Sequence, residues 1–200
     1  MAPLLLPLGF MFLATRSGRI SSTTTLCQRS SLNRRFMSSS TDAISSLPPL
    51  LSTSGEAVKD AETSLSGKRV ALYFAAGWCP MCTRFEPSLT QFREAASSSG
   101  KNLEIIYVPS DRSPDDAMQR ASSLGMMSVP HGKEADDIKT KFKIWSGAEA
   151  IKLGFGRRSG VPALVVLDGK RGEEMAFLAA EAEGVNALRN WPLDEEDGIW

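Results

Sequence analysis

The chain is long enough for one well-buried domain, since it has 200 residues and 42% of them are hydrophobic. Its formal charge is zero, but residues 1–41 hold five arginines and no acid, which leaves 18 basic and 23 acidic residues in 42–200. An acidic body of this kind lacks the basic footprint of a nucleic-acid-binding protein, so we expect no nucleic-acid partner.

Residues 1–40 are expected to be an organelle targeting presequence, because they are rich in arginine, serine and threonine and contain no acid. The stretch "RRFMSS" resembles a mitochondrial processing site, so we expect a protein of the mitochondrial matrix. Plastid or secretory targeting is the alternative, since "PLLLPLGFMFLA" is an apolar run of signal-peptide length. That run is short and interrupted by proline, so we expect no membrane span. Removal of the presequence would remove Cys27 and leave Cys79 and Cys82.

Residues 41–64 are rich in serine and proline and predict a linker that leads into the domain, which we place at 65–192. An apolar run predicts a short buried strand from Val70 to Phe74. The segment from Cys79 to Ser97 predicts a helix, because its bulky apolar residues recur every three or four positions.

The remaining elements are predicted in chain order as a strand at 102–111, a helix at 113–125, a helical segment at 134–145, a strand at 161–168, its hairpin partner at 173–179 and a closing helix at 181–191. On the closing helix, Val185, Leu188 and Trp191 are expected to face inward. Residues 193–200 form an acidic C-terminal tail. This order predicts an α/β fold, with a central mixed β-sheet flanked by helices on both faces.

The stretch "GWCPMC" places two cysteines between a strand and the start of a helix. At a helix N-terminus, unpaired backbone N–H groups and the macrodipole favour a thiolate over a thiol. The two-residue spacer brings the second sulfur within disulfide range, while Pro80 fixes the turn and Trp78 shields one side. We therefore expect Cys79 to be an exposed nucleophile and Cys82 to be the thiol behind it.

A zinc site is the alternative use of the two cysteines, but structural zinc needs four ligands. Beyond the cysteines, the mature chain offers only one histidine, His131. We expect no metal and no other cofactor. His131 is then either solvated or a proton shuttle, and Arg157 and Arg158 lie either in a solvated loop or beside the active site, where they would hold an acidic partner such as glutathione.

The stretch "LSGKRVALYFAAGWCPMCTRFEPSL" resembles the active-site region of thioredoxin-like proteins, and most of all that of tryparedoxins and nucleoredoxins. Their pattern is L-x-G-K-x-V-x-L-Y-F-x-A-x-W-C-P-P-C-x-x-F-x-P. The stretches "YVPSD" and "GVPALVVLD" resemble two further strands of the same family, so the resemblance covers about residues 56–178.

The resemblance implies a thioredoxin fold and a thiol–disulfide oxidoreductase that reduces protein disulfides. It implies that Cys79 attacks the disulfide, that Cys82 resolves the mixed disulfide, and that the two cysteines form a redox-active disulfide. It also implies a cis Pro162 opposite them, with the backbone of Val161 free to bind the substrate strand. The implied partners are disulfide-bearing client proteins and an upstream thiol reductant, either a reductase or a glutathione-type thiol. We expect a monomer.

Two other classes of function remain open for this dithiol. It could belong to a non-catalytic binding module that senses redox state or carries a metal, or to a peroxidase or isomerase. The sequence also departs from the family pattern. Met81 replaces the second proline of the motif, and the segment 143–159 is longer than the corresponding loop. Tyr73 stands where ordinary thioredoxins bury an aspartate, as it does in tryparedoxins.

Overall fold

The computed structural model describes residues 47–168, 172–191, 193 and 200. The predicted presequence, the first six residues of the predicted linker and most of the acidic tail lie outside the described residues.

Five strands form one mixed sheet in the order β3-β2-β1-β4-β5. Strand β1 pairs in parallel with β2, and β2 pairs in parallel with β3, whereas β1–β4 and β4–β5 are antiparallel pairs. The bounds are β1 Arg69–Ala75, β2 Leu103–Pro109, β3 Met127–Ser128, β4 Ala163–Leu167 and β5 Glu174–Leu178.

Helices flank this sheet. They are α1 Ala61–Leu65, α2 Pro80–Ser98, α3 Pro114–Ser123, α4 Lys133–Phe142, α5 Ala150–Leu153 and α6 Ala180–Glu183, with 3-10 turns at Gly147–Glu149 and Gly184–Asn190. Consecutive residues of β1 from Val70 to Ala75 are buried, and so is every residue of β4. Strands buried on both sides need cover on both sides. The predicted α/β fold with a mixed sheet flanked by helices is confirmed.

The parallel pair β1–β2 positions the site. Strand β1 ends at Ala75 and α2 begins at Pro80, so the stretch containing Gly77, Trp78 and Cys79 lies at the carboxyl end of the central strand. Helix α2 then crosses back to β2, whose carboxyl end lies beside that of β1 because the two strands run in the same direction.

The closing segment differs from its prediction. Helix α6 ends at Glu183, and the chain continues as a 3-10 turn from Gly184, which has a φ of +56°. Gly184 interrupts the helix, so the residues after it do not continue the face of α6, and Ala187 rather than Val185 is buried in the 3-10 turn. Trp191 is fully buried as expected, but Val185 is 50% exposed and its inward prediction was wrong.

The described part of the predicted linker packs against the domain. Leu50 is fully buried, and Leu51 pairs with Ser128 at the outer edge of β3. The Leu51 N–H donates to the Ser128 carbonyl at 2.8 Å, and the Ser128 N–H donates back at 2.9 Å. Within the described ranges, no helix combines the length and apolar character needed to cross a bilayer.

The long segment before β4 is closed at its base by a bridge between Ile144 and Ser159. The preceding helix ends there because Lys143 takes a left-handed conformation, with a φ of +58°. Within the segment, the Trp145 indole N–H donates to the Gly154 carbonyl at 3.0 Å.

Candidate active site

The two cysteines lie at the start of α2. Cys79 is the N-cap residue, with extended backbone angles, and Cys82 lies in the first turn. Both are free thiols. Cys82 is fully buried and Cys79 is 7% exposed, so the predicted exposure of Cys79 was wrong. The cover comes from the loop before β4: the Cys79 thiol donates to the Val161 carbonyl, with a sulfur–oxygen distance of 3.7 Å.

The loop that covers Cys79 contains a cis peptide bond between Val161 and Pro162, the conformation that the resemblance implies. Strand β4 begins immediately afterwards, and its first residue, Ala163, is paired with Phe74 near the end of β1. This antiparallel register brings the start of β4 to the end of β1. The topology thus places Val161 and Pro162 opposite the dithiol.

Two hydrogen bonds from the loop after β1 reach the loop after β2. The Trp78 indole N–H donates to the Ser110 carbonyl at 3.0 Å, and the Gly77 N–H donates to the Asp111 carboxylate at 2.7 Å. Trp78 remains partly exposed, and the Arg112 guanidinium lies 5.6 Å from its ring centroid. The stretch before Cys79 is therefore held against the end of β2.

Pro80 and Met81 separate the cysteines. Pro80 is the first residue of α2, where its missing N–H leaves no helical hydrogen bond unmade. Its carbonyl accepts hydrogen bonds from Thr83 and Arg84, each at 3.1 Å. Met81 is exposed and borders a shallow apolar depression of about 240 Å³ that includes Val185.

The environment of Cys82 favours its protonated form. Burial raises the pKa of the Cys82 thiol, and the hydrogen bond with Cys79 and the charge of Asp111 raise that pKa further. A backbone hydrogen bond from Ala76 acts in the opposite direction, but it does not offset burial. The surroundings of Cys82 therefore disfavour its thiolate.

A buried carboxylate lies one helical turn after Cys82. Glu86 is 4% exposed, and it accepts a hydrogen bond from the Tyr73 hydroxyl at 3.4 Å. The Arg120 side chain pairs with it through Nη2 and also donates from Nε at 3.2 Å. Burial raises the pKa of Tyr73, which stays a neutral donor.

A second carboxylate, Asp111, joins the loops around the dithiol. Besides the Gly77 N–H, it accepts a hydrogen bond from the Tyr107 hydroxyl at 2.6 Å. Burial raises the pKa of Tyr107, and the charge of Asp111 raises it further. The His131 Nε2 atom lies 3.0 Å from the Asp111 backbone oxygen.

The histidine and the two cysteines do not form a ligand set. In the part of the chain that the structure describes, no three His, Cys, Asp or Glu side chains are grouped as a metal-ion site. His131 instead contacts the backbone of Asp111, which is itself bound to Gly77. A proton-shuttle role for His131 stays a prediction.

The two arginines that were candidates for binding an acidic partner make contacts within the domain. Arg157 donates to the Trp145 carbonyl at 2.9 Å and pairs with Glu181 at 3.4 Å. Arg158 holds both carboxylate oxygens of Glu174, at 2.7 and 2.8 Å. Each guanidinium therefore has an acidic partner inside the domain.

Sequence reasoning missed Glu86, Arg120 and the contacts of Asp111. One signal was available for Glu86. With Cys82, Phe85 and Leu89 it occupies the spacing of an inward helix face, so an acid at that position indicates a buried charge. Neither the Arg120 contact nor the Asp111 contacts carry a local sequence signal, since both depend on how distant strands and helices align.

Comparisons with known proteins give consistent findings. Residues 67–174 match the family described as Thioredoxin-like. The chain is similar to nucleoredoxin of Bos taurus, with 32% identity over 120 residues, which are 60% of this chain and 24% of that protein. It thus spans about a quarter of the length of this relative.

Two solved structures are similar in fold. Tryparedoxin I from Crithidia fasciculata has 23% identity and a TM-score of 0.54, over 76% of this chain and 90% of that one. Tryparedoxin from Trypanosoma brucei has 26% identity and a TM-score of 0.52, over 72% of this chain and 91% of that one.

Proposed function

Since the chain belongs to the thioredoxin-like family, we propose that it is a thiol–disulfide oxidoreductase that reduces protein disulfides. One observation carries the proposal. Two free thiols, Cys79 and Cys82, lie at the start of α2, and the outer one contacts the carbonyl of Val161 next to cis Pro162.

The reaction follows from the two thiols. The Cys79 thiolate attacks one sulfur of the client disulfide, the client S–S bond breaks, and one client thiolate leaves. The Cys82 thiolate then attacks the Cys79 sulfur, and the second client thiolate leaves as the Cys79–Cys82 disulfide forms. Two electrons pass from the dithiol to the client.

Burial supports this order of attack. Cys79 is the only one of the two thiols with any accessible surface, and it is the N-cap residue of α2. Cys82 is fully buried and its pKa is raised, so it stays protonated until a mixed disulfide forms beside it.

We assign supporting roles to the neighbours of the dithiol. Pro80 fixes the start of α2, and Trp78 walls one side of Cys79 because its indole is held by Ser110. On the other side, the backbone of Val161 and the ring of Pro162 form the surface against which an extended client strand would lie.

Trapping tests the order of attack. Cys82→Ser should accumulate a mixed disulfide with a client such as insulin, because Cys79 attacks and nothing resolves the product. The matched variant Cys79→Ser should trap nothing. Equal trapping by both variants would contradict the assignment. Wild-type protein that fails to reduce insulin disulfides, or that purifies with stoichiometric metal, would favour a sensing or metal-carrying module.

Turnover requires an upstream thiol that reduces the Cys79–Cys82 disulfide, either a reductase or a glutathione-type thiol. Glutathione alone can be added to the oxidised protein, and the return of two free thiols measured. If both free thiols return as fast as the enzyme turns over, the result supports the glutathione-type reductant. If they do not return, the result supports a dedicated reductase.

We place this chemistry in the mitochondrial matrix, on the composition of residues 1–40. Fusion of residues 1–60 to a fluorescent protein should give matrix fluorescence and removal of about the first 36 residues. Plastid or secretory fluorescence would contradict this location without affecting the proposed reaction.

A further inference from the structure

This inference rests on the proposed reaction, in which an extended client strand lies against the loop before β4. The Val161 carbonyl of that loop accepts a hydrogen bond from the Cys79 thiol, and Cys79 is only 7% exposed. The position of the loop therefore decides how close a client strand on Val161 comes to the attacking sulfur. A side chain on α6 fixes that position.

Glu181, on α6, accepts hydrogen bonds from the segment just before Val161. The Gly160 N–H donates to its carboxylate, and the Ser159 hydroxyl donates at 3.4 Å. The Arg157 guanidinium pairs with the same carboxylate at 3.4 Å. Three donors within four consecutive residues thus converge on one side chain, and the contact with Gly160 is the shortest. Hydrogen bonds to an ionised acceptor are roughly twice as strong as those between neutral groups.

The contact with Glu181 explains why a glycine occupies position 160. The φ of Gly160 lies outside the left-handed region, so its backbone conformation does not require glycine. A Cβ at this position would overlap the Glu181 carboxylate, and the three atoms nearest to that Cβ would all belong to Glu181. The backbone therefore approaches Glu181 so closely that only glycine leaves the hydrogen bond intact.

The stretch that faces Cys79 is held at both of its ends. On one side, Glu181 holds the peptide N–H of Gly160, the residue directly before Val161. On the other side, Ala163 begins β4 and is paired with β1. Loss of the Glu181 contact would leave the stretch fixed by the sheet alone, and the Val161 backbone would be free to move relative to the Cys79 sulfur.

We propose that Glu181 is a positioning residue for polypeptide clients. It holds the backbone of Gly160 and thereby keeps Val161 where an extended client strand meets both the loop and the Cys79 sulfur. A small disulfide reaches Cys79 without lying along this backbone. Glu181 therefore contributes to the binding of polypeptide disulfides and not to the thiol chemistry itself.

The test compares a polypeptide client with a small disulfide. Pre-reduced protein is mixed with insulin or with dithiobis(nitrobenzoate), and the oxidised protein formed in one turnover is measured after acid quenching. In Glu181→Ala, we expect the second-order rate constant with insulin to fall at least about tenfold, because misplacement by about 1 Å can cost about 100-fold in rate. The loss should appear as a higher half-maximal concentration of insulin, since binding is weakened. The rate constant with dithiobis(nitrobenzoate) should match wild type.

Three further variants separate the hydrogen bond from the charge. Glu181→Gln keeps an oxygen that can accept from Gly160, so it should retain most of the wild-type rate with insulin. Gly160→Ala should reproduce the defect of Glu181→Ala, because the added methyl group displaces the flexible carboxylate. The double variant Gly160→Ala, Glu181→Ala should be no slower than Glu181→Ala, since the contact is already absent. Glu183→Ala, which removes an exposed acid from the same helix, is the control and should match wild type.

An unchanged rate with insulin in Glu181→Ala overturns the inference, and so does an equal loss with both substrates, which would indicate a general disturbance of the site. A Glu181→Gln variant as slow as Glu181→Ala would show that the charge matters and the hydrogen bond does not. If Glu181→Ala does not fold, Gly160→Ala carries the same comparison of the two substrates. Wild-type protein that reduces neither substrate would overturn the proposed reaction itself, whereas active wild-type protein with unaffected variants would overturn this inference alone.

Discussion

At the residue scale, Glu86 shows how a single charge is tolerated inside the domain. It sits on the inward face of α2, where one cation, Arg120, compensates it. Removal of one partner from a buried pair leaves the other charge without a counter-ion. That loss costs more than the net contribution of the pair itself.

We predict that Arg120→Met destabilises the domain by about 3 kcal/mol, because Glu86 is left charged and buried. Urea unfolding followed by tryptophan fluorescence measures this change. The double variant Glu86→Gln, Arg120→Met should recover most of the loss, since the uncompensated charge is gone. A double variant as unstable as the sum of the two single variants would show that the side chains act independently.

At the element scale, α4 is tied to the end of β2 by one buried lysine. The Lys139 ammonium donates to the Pro109 carbonyl at 3.0 Å and pairs with Glu149 and, at 3.3 Å, with Asp136. Pro109 directly precedes Ser110, whose carbonyl holds the Trp78 indole. This lysine therefore connects the long segment before β4 to the loops of the active site.

The pKa of Glu149 is affected by its ion pair with Lys139. Burial raises the pKa of Glu149. The hydrogen bond and charge of Lys139, together with a hydrogen bond from Ser146, lower this pKa by more than burial raises it, so it lies below the ordinary value of 4.5. A folded-state pKa below the unfolded one stabilises the fold above the unfolded pKa. That stabilisation is lost as the pH falls through the folded pKa.

We predict that Glu149→Gln is less stable than wild type by about 2 kcal/mol at pH 7, the scale of a charged hydrogen bond. The difference should shrink as the pH falls below 4.5, because the carboxylate is protonated first in the unfolded chain and, at lower pH, in the folded one. Urea unfolding of both proteins across this range measures the difference. Glu94→Gln, which changes an exposed acid on α2, is the control and should show no such trend. If the difference in free energy of unfolding between the two proteins stays constant with pH, the charge of Glu149 does not contribute to stability.

At the scale of the whole molecule, the folded domain begins before the first strand. We predict that a chain starting at residue 47 unfolds within about 0.5 kcal/mol of the full chain, while one starting at residue 59 loses at least about 2 kcal/mol. The second chain lacks the buried Leu50 and the pairing of Leu51 with Ser128. Equal stability of the two shortened chains, measured by urea unfolding, would contradict this boundary.

Much of the fold follows from local signals. The predicted strand at 102–111 corresponds to Leu103–Pro109, and the predicted helix at 113–125 corresponds to Pro114–Ser123. In each case the apolar run or the serine cap is contained in the element itself. The two-residue strand β3 was missed, because two residues carry no periodic pattern and are held only by their pairing with β2.

The features of the candidate active site likewise fall into those that follow from local sequence and those that depend on strand pairing. That Cys79 and Cys82 share the first turn of a helix follows from their spacing. The contact of Asp111 with Gly77 does not, because it spans 34 positions and exists only in the register that pairs Ala75 with Pro109. The burial of Cys79 likewise depends on the antiparallel pairing of β4, which no property of residues 77–82 encodes.

The pairing of Leu51 with Ser128 bears on aggregation. An outer strand with free backbone groups is a template for a second chain, and natural proteins cover or charge such strands. Here Leu51 pairs with the backbone N–H and carbonyl of Ser128 at the outer edge of β3, a strand of only two residues. The opposite edge strand, β5, is short and carries Glu174 bound to Arg158. Both borders of the sheet are thereby poor templates for edge-to-edge pairing with a second chain.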